Sequence, residues 1–259
     1  MNNRTVIPDQ GGPPLLRGQW PNSSEGNRLL LGAHSIDQRL KGGLPRAVLH
    51  EIVATKADDT VSSSAFAMML ALCLADAERP ILWIMDEKIP RYSGRLYPPG
   101  LVALGGNPDA MVMVETRDTK DSLRASADAI RSGATGAVIL SVRGNSPAID
   151  LNATRRLALA ASRGRVLALL LRFDATPMPS AAYSRWQVAS APSRPLAADA
   201  PGFPAFDIAL TRHRGGIAPF EARVEWNHEK RAFRDSPLSG GLSATFAGGT
   251  NQAPERQSA

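Results

Sequence analysis

The middle of the chain alternates between apolar runs of strand length and segments with helical periodicity. The apolar runs occupy residues 80–85, 111–114, 137–140 and 166–171, and residues 48–53 form a further short strand pattern. Each run is apolar on both faces, and helical segments lie between the runs. This pattern predicts a parallel β-sheet that helices cover on both sides.

The helical segments have identifiable ends. Residues 63–75 are apolar almost all round, which predicts a buried helix. Asp118 and Asp150 occupy the N-cap positions of two amphipathic helices, and Gly133 and Gly164 end them. These local signals predict where helices cover the sheet.

The last strand-type segments have a different pattern. Residues 184–188, 206–210 and 220–226 alternate apolar and polar side chains, which is typical of antiparallel edge strands with one face in water. We expect Trp186 in the core and Arg185 outside it. The predicted fold class is therefore α/β, a mostly parallel sheet covered by helices, with an antiparallel C-terminal extension.

Both termini lack any periodicity of secondary structure. Residues 1–28 are rich in Gly, Pro, Asn and Ser and predict a flexible N-terminal arm. Residues 235–259 consist mainly of small and polar residues and predict a disordered tail. Residues 29–234 then form a single domain, which is a normal size for a chain of 259 residues.

Composition excludes several classes of protein. The chain has 30 basic and 24 acidic residues, a net charge of +6, which permits contact with nucleic acid without demonstrating it. No apolar run reaches the about 18 residues of a membrane span, and the N-terminus lacks the apolar stretch of a secretory signal. A single cysteine, Cys73, excludes internal disulfides, and the histidines show no metal-ligand spacing. We expect a cytoplasmic protein without a metal site or membrane contact.

The order of short motifs along the core resembles that of RecA-type recombinases. The matching segments are 32–37, 40–45, 50–52, 104–109, 128–134, 208–215 and 218–221. Each motif alone is weak, but their order is specific. The resemblance implies a RecA-like core, in which a nucleotide binds between the first strand and the helix that follows it.

A RecA-type ATPase needs a glycine-rich loop at that point. The loop ends in Lys and Ser or Thr, so that backbone N–H groups, an ammonium group and a hydroxyl hold the phosphates and Mg²⁺. Here Ala54 and Asp59 stand at the first and last glycine positions, Thr60 replaces the lysine, and Val61 replaces the hydroxyl residue. Asp58 and Asp59 would place carboxylates against phosphate oxygens, so we expect no nucleotide cofactor.

The acidic residue that supports the metal ion is also missing. Ser141 follows the strand 137–140, at the position of the family's aspartate. Glu87 matches the family's water-activating glutamate, and Lys56 lies in the altered loop. We expect a protein that is not an enzyme. A cryptic DNA-dependent ATPase that uses Lys56 and Glu87 is the alternative.

A RecA-like domain without its phosphate loop resembles the ImuA family of bacterial SOS mutagenesis cassettes. The stretches 155–161, 180–186 and 191–193 are similar to that family's. The resemblance implies a role in error-prone translesion DNA synthesis after DNA damage. The implied partners are a Y-family-like polymerase adaptor (ImuB) and an error-prone replicative-type polymerase. RecA and DNA are further partners to test, and modulation of RecA filaments is an alternative function.

Arginines are concentrated between residues 143 and 172, where Asp150 is the one acid. A surface patch for DNA or an acidic partner is assigned to Arg143, Arg155, Arg156, Arg163, Arg172 and Arg185. Arg143 and Arg172 follow strands, at the sheet edge where such folds bind ligands. The alternative interpretation is a solvated helix face with ordinary surface charge.

Overall fold

A twisted sheet with helices on both faces forms the body of the molecule. The computed structural model describes residues 28–74, 79–90, 94–176, 178–196, 198, 200 and 202–236. Within these residues the large sheet has the strand order β11-β10-β9-β8-β3-β7-β6-β4-β5, and β1 pairs with β2 in a separate small sheet. The strands are β1 (Arg28–Leu29), β2 (Leu44–Pro45), β3 (Leu49–Ala54), β4 (Ile81–Asp86), β5 (Met111–Thr116), β6 (Ala137–Arg143), β7 (Leu167–Phe173), β8 (Ser184–Ala191), β9 (Ala205–His213), β10 (Phe220–Asn227) and β11 (Ala232–Ser236).

The first helix connects β1 with β2, and the later helices connect strands of the parallel half. They are α1 (His34–Arg39), α2 (Thr60–Leu72), α3 (Pro98–Ala103), α4 (Thr119–Ser132) and α5 (Leu151–Gly164), with short 3₁₀ turns at Ala57–Asp59 and Pro108–Ala110. Helix α2 packs on one face of the sheet, where Phe66 and Met69 are fully buried. Helices α4 and α5 cover the opposite face through residues such as Ile130 and Leu157. In the described ranges no helix is long and apolar enough to cross a membrane.

The two predicted N-caps are confirmed. The Asp118 carboxylate accepts a hydrogen bond from the Asp121 amide at 2.9 Å, and the Asp150 carboxylate accepts one from the Ala153 amide at 2.6 Å. Gly133 ends α4 with a left-handed φ of 68°. Gly164 is the last residue of α5, and the left-handed C-cap that follows it is Arg165, with φ 56°. Glycine is needed at 164 because a Cβ there would collide with the Ile130 carbonyl oxygen of α4. Glycine at this position lets the two helices approach closely at their C-terminal ends.

The predicted parallel sheet with an antiparallel extension is confirmed. Strands β5, β4, β6, β7, β3 and β8 are parallel neighbours, and β9, β10 and β11 continue the sheet as an antiparallel meander. The expectation that residues 184–188, 206–210 and 220–226 form edge strands is wrong, because β8, β9 and β10 each lie between two neighbouring strands and β11 forms this edge of the sheet. Trp186 is in the core as predicted, with 1% of its surface exposed.

Strand β5 differs from its prediction as a buried strand. It forms one edge of the sheet, and Val112 and Met113 are 45% and 39% exposed. The apolar run 111–114 was compatible with either position, because periodicity does not distinguish an edge strand from a central one. Strand β5, which pairs with β4, therefore exposes apolar side chains at this edge of the sheet.

The described secondary structure extends slightly beyond the predicted domain limits, residues 29 and 234, at both ends. Arg28, at the end of the predicted arm, lies in β1, and its guanidinium donates to the Leu40 and Gly43 carbonyl oxygens. Asp235, the first residue of the predicted tail, lies in β11 and accepts a 3.1 Å hydrogen bond from the Ser35 amide. Residues 1–27 and 237–259, which make up the rest of the predicted arm and tail, lie outside the described residues.

Candidate functional site: an altered nucleotide cradle and its surroundings

The loop between β3 and α2 has the wrong backbone shape for a phosphate cradle. It passes from an extended Lys56, with φ −136°, through the 3₁₀ turn 57–59 into α2. Among residues 54–61 none has a positive φ. Right-handed and left-handed residues in succession form one kind of concave N–H nest, and this loop contains no left-handed residue. The Thr60 hydroxyl, at the lysine position, donates instead to the Ala57 carbonyl oxygen at 2.7 Å.

Asp59 is part of the framework of the loop. Its carboxylate is 6% exposed and accepts hydrogen bonds from the Ser190 amide at 2.9 Å and the Ser190 hydroxyl at 3.2 Å. The expectation that both aspartates point toward phosphate oxygens is therefore wrong for Asp59, whose carboxylate turns toward β8. Asp58 is exposed on the turn, and Val61 is 63% exposed. At the last glycine position of the family's loop, this chain has an aspartate whose hydrogen bonds link the loop to β8.

The position of the metal-supporting acid has also acquired a structural role. Ser141 is 1% exposed near the end of β6, and its hydroxyl accepts a 2.7 Å hydrogen bond from the indole N–H of Trp83 on β4. Trp83 is itself buried. Trp83 and Ser141 form this hydrogen bond with each other on the sheet face that α2 covers. The residues at this site do not fit a nucleotide with its Mg²⁺, since neither the cradle nor the acid is present.

Glu87 and Lys56 lie on exposed turns. Glu87 follows β4, and its amide donates to the Thr116 carbonyl oxygen at 2.9 Å, which continues the register of β4 and β5. Lys56 is exposed at the start of the altered loop. Each position belongs to a tight backbone turn of the fold.

Glu51 forms a buried ion-pair cluster with Arg172 and Arg185. The Glu51 side chain is 1% exposed, and its carboxylate oxygens lie 3.4 Å from Arg172 Nη1 and 2.8 Å from Arg185 Nε. The Ser180 hydroxyl donates to the same carboxylate at 2.8 Å. Arg212 donates to the Ser180 carbonyl and hydroxyl oxygens at 3.0 Å, and burial together with the charge of Arg185 lowers its pKa. This Glu51 cluster holds β3, β7, β8 and β9 together.

The assignment of Arg172 and Arg185 to a surface patch is therefore wrong. Arg172 has 1% of its surface exposed, and Arg185 has 14% of its side chain exposed. Both residues lie on sheet positions that face Glu51, and a buried carboxylate attracts guanidinium groups strongly. These two guanidinium groups hold the sheet together from within.

The remaining four arginines of the predicted patch are exposed but do not form one surface. Arg143 lies 2.8 Å from the Asp174 carboxylate, across the ends of β6 and β7. Arg155 is close enough to Arg214 to lower the pKa of Arg214, after the larger effect of burial. Arg156 and Arg163 face the other way, into a groove between α4 and α5.

The sequence analysis missed the residues of α4 that share this groove. Lys120, Arg124 and Arg131 line it together with Arg156 and Arg163. At 100° per residue, these three positions of α4 fall within an arc of about 40°. That periodicity was available in the sequence, whereas the packing of α4 beside α5 was not.

His50, at the start of β3, is a titratable residue with a structural role. It is fully buried, with Nδ1 2.7 Å from the Ser184 hydroxyl and Nε2 2.9 Å from the Pro45 carbonyl oxygen. Nε2 must carry the proton, because a carbonyl oxygen only accepts. Burial lowers the pKa of His50 to about 4, which keeps the ring neutral.

Comparison with known proteins agrees with this description of the fold. The sequence matches no family model. Protein ImuA from two strains of Caulobacter vibrioides is 29% identical to this chain over 203 residues, which cover 73% of this chain and 79% of the relative. The resemblance to the ImuA family is confirmed.

A solved structure confirms the fold class independently. The crystal structure of the RadB recombinase aligns with a TM-score of 0.53 at 17% identity and covers 81% of this chain and 100% of the recombinase chain. At this level of identity the likeness concerns the fold alone. The recombinase therefore shares only the RecA-like fold with this chain, whereas Protein ImuA is similar to it in sequence.

Proposed function

We propose that this chain is a non-catalytic, RecA-like accessory protein of damage-induced, error-prone translesion DNA synthesis. It acts in the cytoplasm and assembles with a Y-family-like polymerase adaptor of the ImuB type and an error-prone replicative-type polymerase. The similarity to Protein ImuA supports the pathway. The geometry of the former cradle supports the absence of catalysis.

One observation carries the non-catalytic assignment. The side chains at two essential ATPase positions are engaged inside the protein, Asp59 with Ser190 and Ser141 with Trp83. Binding a nucleotide would require breaking the first contact and rebuilding the loop backbone. The domain is therefore held in a single state, and it binds its partners without a nucleotide switch.

A domain that does not change state with nucleotide can act by recruiting the adaptor and the polymerase. The adaptor and the polymerase bind to a preformed surface, so the amount of this chain after DNA damage sets how much complex forms. A preformed surface also avoids the cost of ordering a partner-binding segment during association. Nucleotide hydrolysis has no part in assembly or release.

Co-purification with the adaptor tests this function. The full chain and an ImuB-type protein from the same organism are mixed at about 1 µM, and the complex is measured by size-exclusion chromatography and calorimetry. We expect a complex whose affinity is unchanged by ATP and Mg²⁺. Absence of a complex at about 10 µM, with both proteins folded, would contradict the proposal, as would a nucleotide-dependent affinity.

The edge of the sheet supports modulation of RecA filaments as a second function. An exposed apolar strand edge pairs readily with another chain, and β5 presents Val112 and Met113 in this way. Filament length of RecA on single-stranded DNA, with and without this chain, measures the effect. Shortening that is lost in the variant Val112→Lys/Met113→Lys would support this function, and unchanged filaments would exclude it.

A further inference from the structure

A groove with an apolar floor runs between α4 and α5 on the side of the sheet opposite α2. It has a volume of about 650 Å³ and extends from Lys120 at the start of α4 to Arg163 near the end of α5. Alanines at 127, 153 and 160 form much of its floor, and their short side chains leave the space between the helices open. Leu159 stands at the rim with 46% of its surface exposed.

The rim of this groove is strongly basic. Its lining includes five cations, Lys120, Arg124, Arg131, Arg156 and Arg163, and two acids, Asp128 and Asp150, a net charge of +3. Asp128 is paired with Arg131 at 2.6 Å, and Asp150 caps α5.

Three of these cations lack a direct ion pair, although the charge of Lys120 acts on nearby Asp118 and, together with the hydrogen bond from the Asp121 amide, helps to lower the pKa of that carboxyl group. Within the described part of the chain, Lys120, Arg156 and Arg163 form no ion pair. The groove therefore has an excess of positive charge that a ligand can neutralise.

The shape and chemistry of the groove fit a helix better than a nucleic-acid backbone. Helices α4 and α5 each have 14 residues, so the groove between them is about 20 Å long. A phosphate backbone would satisfy the cations but would leave the leucine and alanine floor against charged oxygens. An amphipathic helix with an apolar stripe and acidic flanks satisfies both parts at once.

The chain's own termini do not supply such a segment. Residues 1–27 contain two acidic and two basic residues, and residues 237–259 contain one of each. Neither terminus has the net negative charge that the rim requires. Charge complementarity therefore points to another protein.

We propose that the α4–α5 groove binds an acidic amphipathic helix of a partner protein. The leucine or similar side chains of that helix pack on the alanine floor and against Leu159, and its carboxylates pair with Lys120, Arg156 and Arg163. This inference rests on the proposed function as an assembly protein, and it adds the surface and the chemistry of the partner segment.

A synthetic peptide tests the groove without any natural partner. The probe is an amphipathic helix of about 18 residues, with Leu at every third or fourth position and Glu elsewhere, measured by fluorescence anisotropy against the full chain. We expect the variant Arg156→Gln/Arg163→Gln to weaken binding at least about tenfold. The exposed pair Lys88→Gln/Lys230→Gln, which lies outside the groove, is the matched control and should leave binding within about twofold.

An apolar variant separates a helix from DNA. Leu159→Ser should weaken the peptide at least about fivefold, whereas Leu196→Ser, at a leucine of similar exposure, should not. Duplex DNA of mixed sequence is titrated in parallel. DNA binding that depends on Arg156 and Arg163 but not on Leu159, without peptide binding, would overturn the proposal in favour of a nucleic-acid ligand.

Failure of this inference is distinguishable from failure of the proposed function. If the chain forms a complex with the adaptor and the groove variants weaken neither that complex nor the peptide, the groove is not the docking site and the proposed function stands. If no adaptor complex forms, the peptide titration still decides whether the groove binds an acidic helix. Circular dichroism of each variant confirms that it is folded.

Discussion

Neutralising Glu51 should destabilise the protein more than any surface substitution. In the variant Glu51→Gln the side chain keeps its size but loses the charge that balances Arg172 and Arg185. Arg172 is the critical partner, because its side chain is 2% exposed and cannot turn toward water without leaving the sheet. The perturbation therefore leaves a buried guanidinium without a counter-charge.

The expected magnitude follows from the burial of that pair. Removing one partner of a buried ion pair costs about 3–5 kcal/mol, against a total stability of about 5–15 kcal/mol for a typical protein. With a urea m-value of about 2–3 kcal/mol/M, the unfolding midpoint should fall by about 1–2.5 M. Replacing both partners, as in Glu51→Leu/Arg172→Met, should cost less than Glu51→Gln alone, because no unpaired charge then remains in the core.

Urea unfolding followed by tryptophan fluorescence and circular dichroism measures this loss. Glu87→Gln is the matched control, since Glu87 is exposed, and it should change the free energy of unfolding by less than about 0.5 kcal/mol. A loss below about 1 kcal/mol for Glu51→Gln would refute the reasoning, because it would mean that water already solvates the arginines.

Three further predictions concern the buried polar side chains His50, Asp59 and Ser141. The pKa of His50 is about 4 in the folded state against 6.5 for an ordinary histidine, so the unfolded state takes up the proton first. Stability should fall by about 3 kcal/mol as the pH drops from 6.5 to about 4, in urea titrations, and a His50→Gln variant that kept the same slope would contradict this. Asp59→Ala should lower the free energy of unfolding by about 1–3 kcal/mol in thermal unfolding, because the Ser190 amide loses its acceptor. Equal losses for Asp59→Ala and Asp58→Ala would contradict the inference that Asp59 links the loop to β8. Ser141→Ala should cost about 1–3 kcal/mol, because the Trp83 indole N–H loses its acceptor, and an unchanged urea midpoint would contradict that.

Features set by local sequence were predictable. The caps Asp118 and Asp150 form hydrogen bonds with amides three residues ahead, so the sequence around each cap contains all the information that the prediction needs. The loss of the phosphate loop was equally local, since it depends on which residues stand between a strand and the next helix. The RecA-like order of motifs then allowed the fold class to be predicted.

Features that depend on distant residues were not predictable in the same way. Arg172 and Arg185 pair with Glu51 across 121 and 134 residues of sequence, and nothing near either arginine indicates that it faces a carboxylate. The edge position of β5 depends on the order of strands in the sheet. The α4–α5 groove depends on the packing of two helices whose basic faces were considered separately.

Two positions that correspond to the family's nucleotide site have structural roles in this chain. Asp59 and Ser141 form internal hydrogen bonds in place of contacts with phosphate or metal. The first contact joins the loop before α2 to β8, and the second joins β6 to β4.

Calorimetric titration of the full chain with ATP and Mg²⁺ tests the central claim most directly. The altered loop predicts no saturable heat at up to about 1 mM nucleotide, and an unchanged unfolding temperature at that concentration. Saturable binding in the micromolar range, accompanied by a rise in unfolding temperature, would contradict the claim that this domain has lost its nucleotide site.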